Sequence, residues 1–255
     1  MDAKRIVVKV GSSTLTGDAG TSLNGSAVTK LVDVVANLKG QGKEVIIVTS
    51  AAIAAGMAPL GLTQRPTDLA TQQASASVGQ GLLIAKYSAE FTRHNIVASQ
   101  VLVTGDDLAR DLHKENAKRT LLRLLELGVV PIINENDSVG TEEIRLGDND
   151  RFAALVLQLI GADLLVLVSD IDALYDAPPT QAGANRIAKV TNFADLADIE
   201  IGGVGSSGVG SGGMVTKIQA AEIATSSGAR MLLTDLAHVE DALAGKDVGT
   251  LFTSN

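Results

Sequence analysis

Ile6-Val7-Val8-Lys9-Val10-Gly11-Ser12-Ser13-Thr14 decides the fold: an apolar run that stops in a Gly/Ser turn. Such a run reads as a buried strand, and a Lys inside it is costly to desolvate unless it meets an anion. Similar apolar runs recur at 45–49, 96–103, 129–133, 164–168 and 231–234. Helical patterns lie between them. Val28, Leu31, Val32 and Val35 share a face, as do Ala117, Leu121, Leu124 and Leu125, and then Phe152, Leu155, Val156 and Leu159. Strand and helix in alternation predict an α/β fold: a three-layer αβα sandwich around a mostly parallel sheet. Ligands in such sheets sit beyond the carboxyl ends of the strands. The polar clusters fall there: 11–14 after the first run, Ser50 after the second, 134–137 after the fourth, Ser169 and Asp170 after the fifth.

Composition agrees with this layering. The chain has 255 residues, 45% hydrophobic but only 2% aromatic, so its core must be built from Leu, Ile, Val and Ala. It holds no Cys, which excludes disulfides and thiolate metal sites. A net charge of −8 disfavours a nucleic-acid partner, although a local lysine pair can still hold a small anion. No signal pattern or membrane-length apolar run is visible, and a cytoplasmic protein is expected. One domain over 1–255 is expected, softly divided near residue 165 into a substrate lobe and a nucleotide lobe with the sheet continuous across them. Residues 175–185, with Pro178 and Pro179, read as a surface turn or hairpin tip, and 202–213 as the one long flexible loop.

The chemistry concentrates in four places. Lys9 and Gly11 close the first strand. Near the other end, Gly208-Val209-Gly210-Ser211-Gly212-Gly213-Met214-Val215-Thr216-Lys217 runs into a helical pattern (Ile218, Ala221, Glu222, Ala224). Backbone N–H groups of such a turn, a helix N-terminus and a Lys make a polyphosphate cradle. The same run contains a literal G-x-G-x-x-G at Gly208, Gly210 and Gly213, but loop residues precede it where a dinucleotide fingerprint needs a strand. Thr49-Ser50-Ala51 reads equally as a helix cap at Ser50 or as a substrate contact. Last, Asn134-Glu135-Asn136-Asp137 and Gly147-Asp148-Asn149-Asp150 carry more Asp and Asn than capping needs. Asn amides donate and accept, and Asp binds an ammonium or orients a Lys, so these loops suit an amino-acid ligand. His94, His113 and His238 lack metal spacing and read as surface residues.

On these segments, together with Pro131-Ile132-Ile133 and Gly249-Thr250-Leu251-Phe252, the chain resembles the amino acid kinase family, in the branch that acts on L-glutamate. The pair 134–137 and 147–150 is the most specific part of the match. The resemblance implies ATP-dependent phosphorylation of the glutamate side-chain carboxylate, the first step toward proline. By position, it implies that Lys9, Lys217 and Asp150 are catalytic, Asp150 orienting the two lysines. Ser50, Asn134, Asp137 and Asn149 would hold glutamate. Lys9, Gly11, Ser169, Asp170, Ser211, Gly212, Gly213, Met214, Val215, Thr216 and Lys217 would hold ATP. Mg²⁺ would ride on the nucleotide with no protein ligand assigned. L-Proline as a feedback inhibitor, a downstream glutamyl phosphate reductase and a homo-oligomer are further implications. A related kinase acting on another carboxylate, or a non-catalytic amino-acid sensor on the same fold, are the alternatives.

Two departures from the family pattern stand out. Family members usually carry Gly where Ala51 stands; if the position needs positive φ, Ala costs on the order of 1 kcal/mol. Many members also carry a C-terminal PUA module, and none is expected within 1–255.

Overall fold

Side chains along the first strand, β1 (Arg5–Val10), alternate across the sheet. Ile6, Val8 and Val10 enter one apolar layer, while Val7 enters the other. Lys9 therefore points to the same side as Val7, and this parity decides which helices it can reach. The computed structural model describes residues 2–17, 20–140, 149–181, 183–196 and 213–254.

After β1 come α1 (Ser12–Leu15), α2 (Gly25–Gly40), β2 (Glu44–Val48), α3 (Ala52–Met57) and α4 (Leu69–Thr92). Then follow β3 (Ala98–Val103), α5 (Gly105–Ala109), α6 (Asp111–Glu126), β4 (Val130–Glu135), α7 (Asn149–Ile160) and β5 (Leu164–Ser169). The chain continues through β6 (Leu174–Tyr175), β7 (Arg186–Ile187), β8 (Lys189–Val190), α8 (Met214–Ser226), β9 (Arg230–Asp235), α9 (Val239–Leu243) and β10 (Thr250–Phe252). Among the described residues, eight strands form one sheet in the order β3-β4-β2-β1-β5-β9-β10-β8. Every pairing in it is parallel except β9 with β10. The 175–185 segment is the hairpin expected, closed by β6 against β7.

Parallel strands need crossover helices, and those helices cover both faces. α2, α4 and α9 pack on Val8, Ile47, Ile132 and Val166. α6, α7 and α8 pack on Val7, Ile46, Ile133 and Leu165. Helix starts are set locally: Asn24 accepts from the amides of Ser26 and Ala27 to open α2, and Asp68 accepts from Thr71 to open α4. Thr104 and Asp107 close a capping box on α5.

α4 is the longest of the described helices, 24 residues or about 36 Å. α3 seats against it through glycine. A Cβ at Gly56 would overlap the Ser75 carbonyl oxygen, and one at Gly79 would overlap that of Ala52. The two backbones therefore approach as closely as glycine allows.

Candidate active site

Because α7 and α8 each lead into a parallel strand, their N-termini lie at the carboxyl edge of the sheet, on the side to which Lys9 points. Asp150 sits in the first turn of α7, and Lys217 in the first turn of α8. Lys9 Nζ lies 2.5 Å from one Asp150 carboxylate oxygen, and Lys217 Nζ 3.1 Å from the other. The Thr216 hydroxyl adds a third contact, donating to Asp150 Oδ2 at 3.2 Å. Asp150 is 2% exposed and Lys217 6%, so the cluster is nearly dry. The anion demanded by a Lys in an apolar strand is thus Asp150, 141 residues away in the sequence (150 − 9).

Lys9, Lys217 and Asp150 by themselves sum to one positive charge. Lys217 also stands at the positive end of the α8 dipole, an unfavourable place for a cation and a favourable one for an added anion. Burial by itself would push the Asp150 carboxyl up, but the charges of Lys9 and then Lys217 outweigh it and hold it down at about 2. A folded value below the unfolded one means that its contribution to stability is complete above about pH 4 and lost as pH falls toward 2. The expected result is a stability gap between wild type and Asp150→Asn that is full at pH 5 and narrows steadily as pH falls to 2.5. Urea unfolding at several pH values measures it, and a gap independent of pH would contradict the assignment.

Beyond β5, Ser169 is buried and its hydroxyl donates to Asp170 Oδ1 at 3.0 Å. In register Val10 pairs with Val168, so Ser169 lies one step past it, beside Gly11. Lys9 Nζ is 3.5 Å from where a Gly11 Cβ would stand. Gly213 is the N-cap of α8, followed by half-buried Met214 and Thr216 and exposed Val215. Ser211 and Gly212, with most of the 202–213 loop, lie outside the described residues, as do Gly147 and Asp148.

A second group forms where β2 and β4 end together. Ile47 and Val48 pair with Ile132 and Ile133, and the Thr49 amide donates to the Ile133 carbonyl at 2.9 Å. Ser50 Oγ accepts a 2.7 Å hydrogen bond from Asn149 Nδ2, joining this edge to the start of α7. The capping reading of Ser50 fails, because the N-cap of α3 is Ala51. Asn134 is buried at the end of β4, and Asp137 sits half-buried in the turn beyond it, beside a cavity of about 270 Å³.

Ala51 has φ 79° and ψ 10°, the left-handed conformation, and is buried. An alanine here is strained by its Cβ. Ala51→Gly removes that strain but adds unfolded-state entropy and deletes one buried methyl. The net expectation is a gain of a few tenths to about 1 kcal/mol, read by urea unfolding. A loss would show that the methyl contributes more than the strain costs.

Sequence reasoning missed the partners of these groups. Tyr87 reaches Thr49, Gln80 reaches Asn134, and each histidine faces an aspartate: His94 with Asp33, His113 with Asp107, His238 with Asp235. Among the described residues no group of three His, Asp or Glu side chains can hold a metal ion, and none of the helices is long and apolar enough to cross a membrane.

A mostly parallel sheet covered on both faces gathers two ammonium groups on one buried carboxylate at its carboxyl edge, an arrangement of charge suited to anions in an α/β protein. The profile of the amino acid kinase family matches residues 4–235, and the chain belongs to that family. It is 57% identical over 251 residues to glutamate 5-kinase of Streptomyces coelicolor, covering 98% of this chain and 67% of that protein. Glutamate 5-kinase of Clavibacter michiganensis is 54% identical over 250 residues, covering 98% of this chain and 94% of that protein. Carbamate kinase from Giardia lamblia bound to AMP-PNP shares the fold at a TM-score of 0.70 and 16% identity, over 100% of this chain and 99% of that one.

Proposed function

We infer that the protein transfers the γ-phosphoryl group of ATP to the side-chain carboxylate of L-glutamate, giving L-glutamyl 5-phosphate on the way to proline. The observation that carries this reading is the Lys9–Asp150–Lys217 cluster. It stands in a chain 57% identical to a protein named for that reaction.

On this reading the carboxylate oxygen of glutamate attacks the γ-phosphorus, the bond from that phosphorus to the β-bridging oxygen breaks, and ADP leaves with the electron pair. Carboxylates are ionised at neutral pH, with an ordinary value of about 4.3, so no general base is needed. The difficulty is repulsion between two anions. Lys9 and Lys217 counter it at the transferring group, and Asp150 holds the two ammonium tips at one spacing. The α8 start, with Gly213 to Thr216, borders the phosphates, and Ser169 with Asp170 borders the nucleoside. Ser50, Asn134, Asp137 and Asn149 hold glutamate. Mg²⁺ would enter on the triphosphate, whose oxygens and water this ion prefers.

The resemblance extends the reading to inhibition by L-proline, assembly into a homo-oligomer and a cytoplasmic location. The acyl phosphate product is prone to hydrolysis, which favours hand-off to a reductase. ADP release measured with L-glutamate, acetylglutamate and L-aspartate, and then with added L-proline, tests the core assignment. Release dependent on L-glutamate is expected. No release, or equal release with the other carboxylates, would overturn it.

A further inference from the structure

Three polar side chains of α4 stand seven residues apart: Gln73, Gln80 and Tyr87. Seven residues are close to two helical turns, so each step returns to within about 20° of the same direction. All three tips reach the carboxyl edge of the sheet, at the end of β4 or on the residues that follow β2 and β4. Gln73 Nε2 donates to the Gly140 carbonyl at 3.4 Å. Gln80 Oε1 accepts from Asn134 Nδ2 at 2.7 Å. The Tyr87 and Thr49 hydroxyls lie 3.0 Å apart, both buried.

These partners mark out two of the three segments that bear the glutamate candidates, the third being the start of α7 with Asn149. Asn134 and Gly140 bracket Asp137, while Thr49 precedes Ser50 and the strained Ala51. Gln80 also fixes the direction of the Asn134 amide. Asn134 Oδ1 accepts from the Glu135 N–H at 2.9 Å, and its nitrogen must then find an acceptor, which Gln80 supplies. Tyr87 is fully buried among Leu83 and Phe91, where a hydroxyl without a partner is costly. Apolar packing asks nothing of a phenol oxygen, so the Thr49 contact is the reason for Tyr over Phe. Beyond Ala51, Gly56 seats on Gly79, so the same helix grips the β2–α3 turn on both sides.

We propose that α4 is the positioning element of the amino-acid site: Gln80 and Tyr87, with Gln73 in support, hold the Asp137 turn and the Ser50 turn at one spacing, and this spacing sets the affinity for glutamate. The proposal deepens the reading given above and rests on its placement of Ser50 and Asp137.

Size-matched variants test it. Gln80→Met and Tyr87→Phe keep the packing and remove the polar tip. Backbone hydrogen exchange of the ligand-free protein is read first. Exchange at 134–140 should rise about tenfold in Gln80→Met, and exchange at 49–55 should rise similarly in Tyr87→Phe, with β5 and β9 unchanged. Kinetics come next. The KM for L-glutamate should rise about tenfold in Gln80→Met, with the KM for ATP within twofold of wild type. Wild-type exchange at either segment overturns the proposal. So does an active enzyme whose glutamate KM stays within twofold while only its melting temperature falls, since that is a purely structural role. A wild type without glutamate-dependent ADP release sinks the functional reading instead, and the exchange rates still decide whether α4 holds the two turns.

Discussion

Lys217→Ala lowers turnover at saturating ATP and L-glutamate by about a hundredfold or more while the fold survives. With both lysines present, Lys9, Lys217 and Asp150 together sum to one positive charge. Without Lys217 that charge is gone, and the transferring phosphoryl group approaches a neutral ion pair instead of a cation. By comparison with the loss of one oxyanion-hole donor, the cost is roughly 3 kcal/mol in the transition state, or about a hundredfold in rate. Stability responds less. Asp150 keeps Lys9 at 2.5 Å and the Thr216 hydroxyl at 3.2 Å, so no buried carboxylate is left alone. The loss should fall below the 3–5 kcal/mol typical of breaking a buried pair outright. Turnover and the thermal midpoint are measured on the same preparation. Turnover within threefold of wild type would remove Lys217 from the chemistry. Lys217→Arg should recover only part of the rate, because a planar guanidinium does not reproduce a compact ammonium in a site 6% exposed.

The strands were legible because their signal is dense. Every run in the sequence from 6–10 to 231–234 became a strand of the sheet, displaced by a residue or two at its ends. A Lys among Val and Ile announced a buried anion, but nothing local could say which. The answer came from strand parity and from two crossovers whose helices begin on the same side. α4 went unread for the opposite reason. Its inner face is built from Ser75, Ala76 and Gly79 as well as Leu83 and Phe91, and its outer face carries Ala74, Val78 and Leu82. Small residues on one side and apolar ones on the other erase the 3.6-residue contrast on which helix reading depends. Ser50 shows a different limit. Its residue type suits a cap and a ligand contact equally; the position of Ala51 as the N-cap removes the first reading, and Asn149 on the Ser50 hydroxyl ties the residue to the start of α7.

The same small residues give the largest stability effect. Gly79→Ala should destabilise the protein by about 3 kcal/mol or more, and Gly81→Ala, two residues along the same helix, should stabilise it by up to about 1 kcal/mol. Helix propensity favours alanine equally at both positions, so it cannot separate them. Space does. A Cβ at Gly81 meets nothing within 4 Å, whereas a Cβ at Gly79 would overlap the Ala52 carbonyl oxygen and crowd the Gly56 nitrogen. Those are backbone atoms of α3, and no rotamer can withdraw them. Either α3 lifts off α4, exposing the apolar layer around Ile53, or α4 bends away from Thr49 and Asn134. Both responses disturb the β2–α3 turn, so glutamate affinity should fall along with stability. Urea unfolding of the two variants in parallel reads the difference directly. Equal midpoints for Gly79→Ala and Gly81→Ala would mean that α3 and α4 do not meet backbone to backbone, and that the Ser50 turn takes its position from the sheet edge alone.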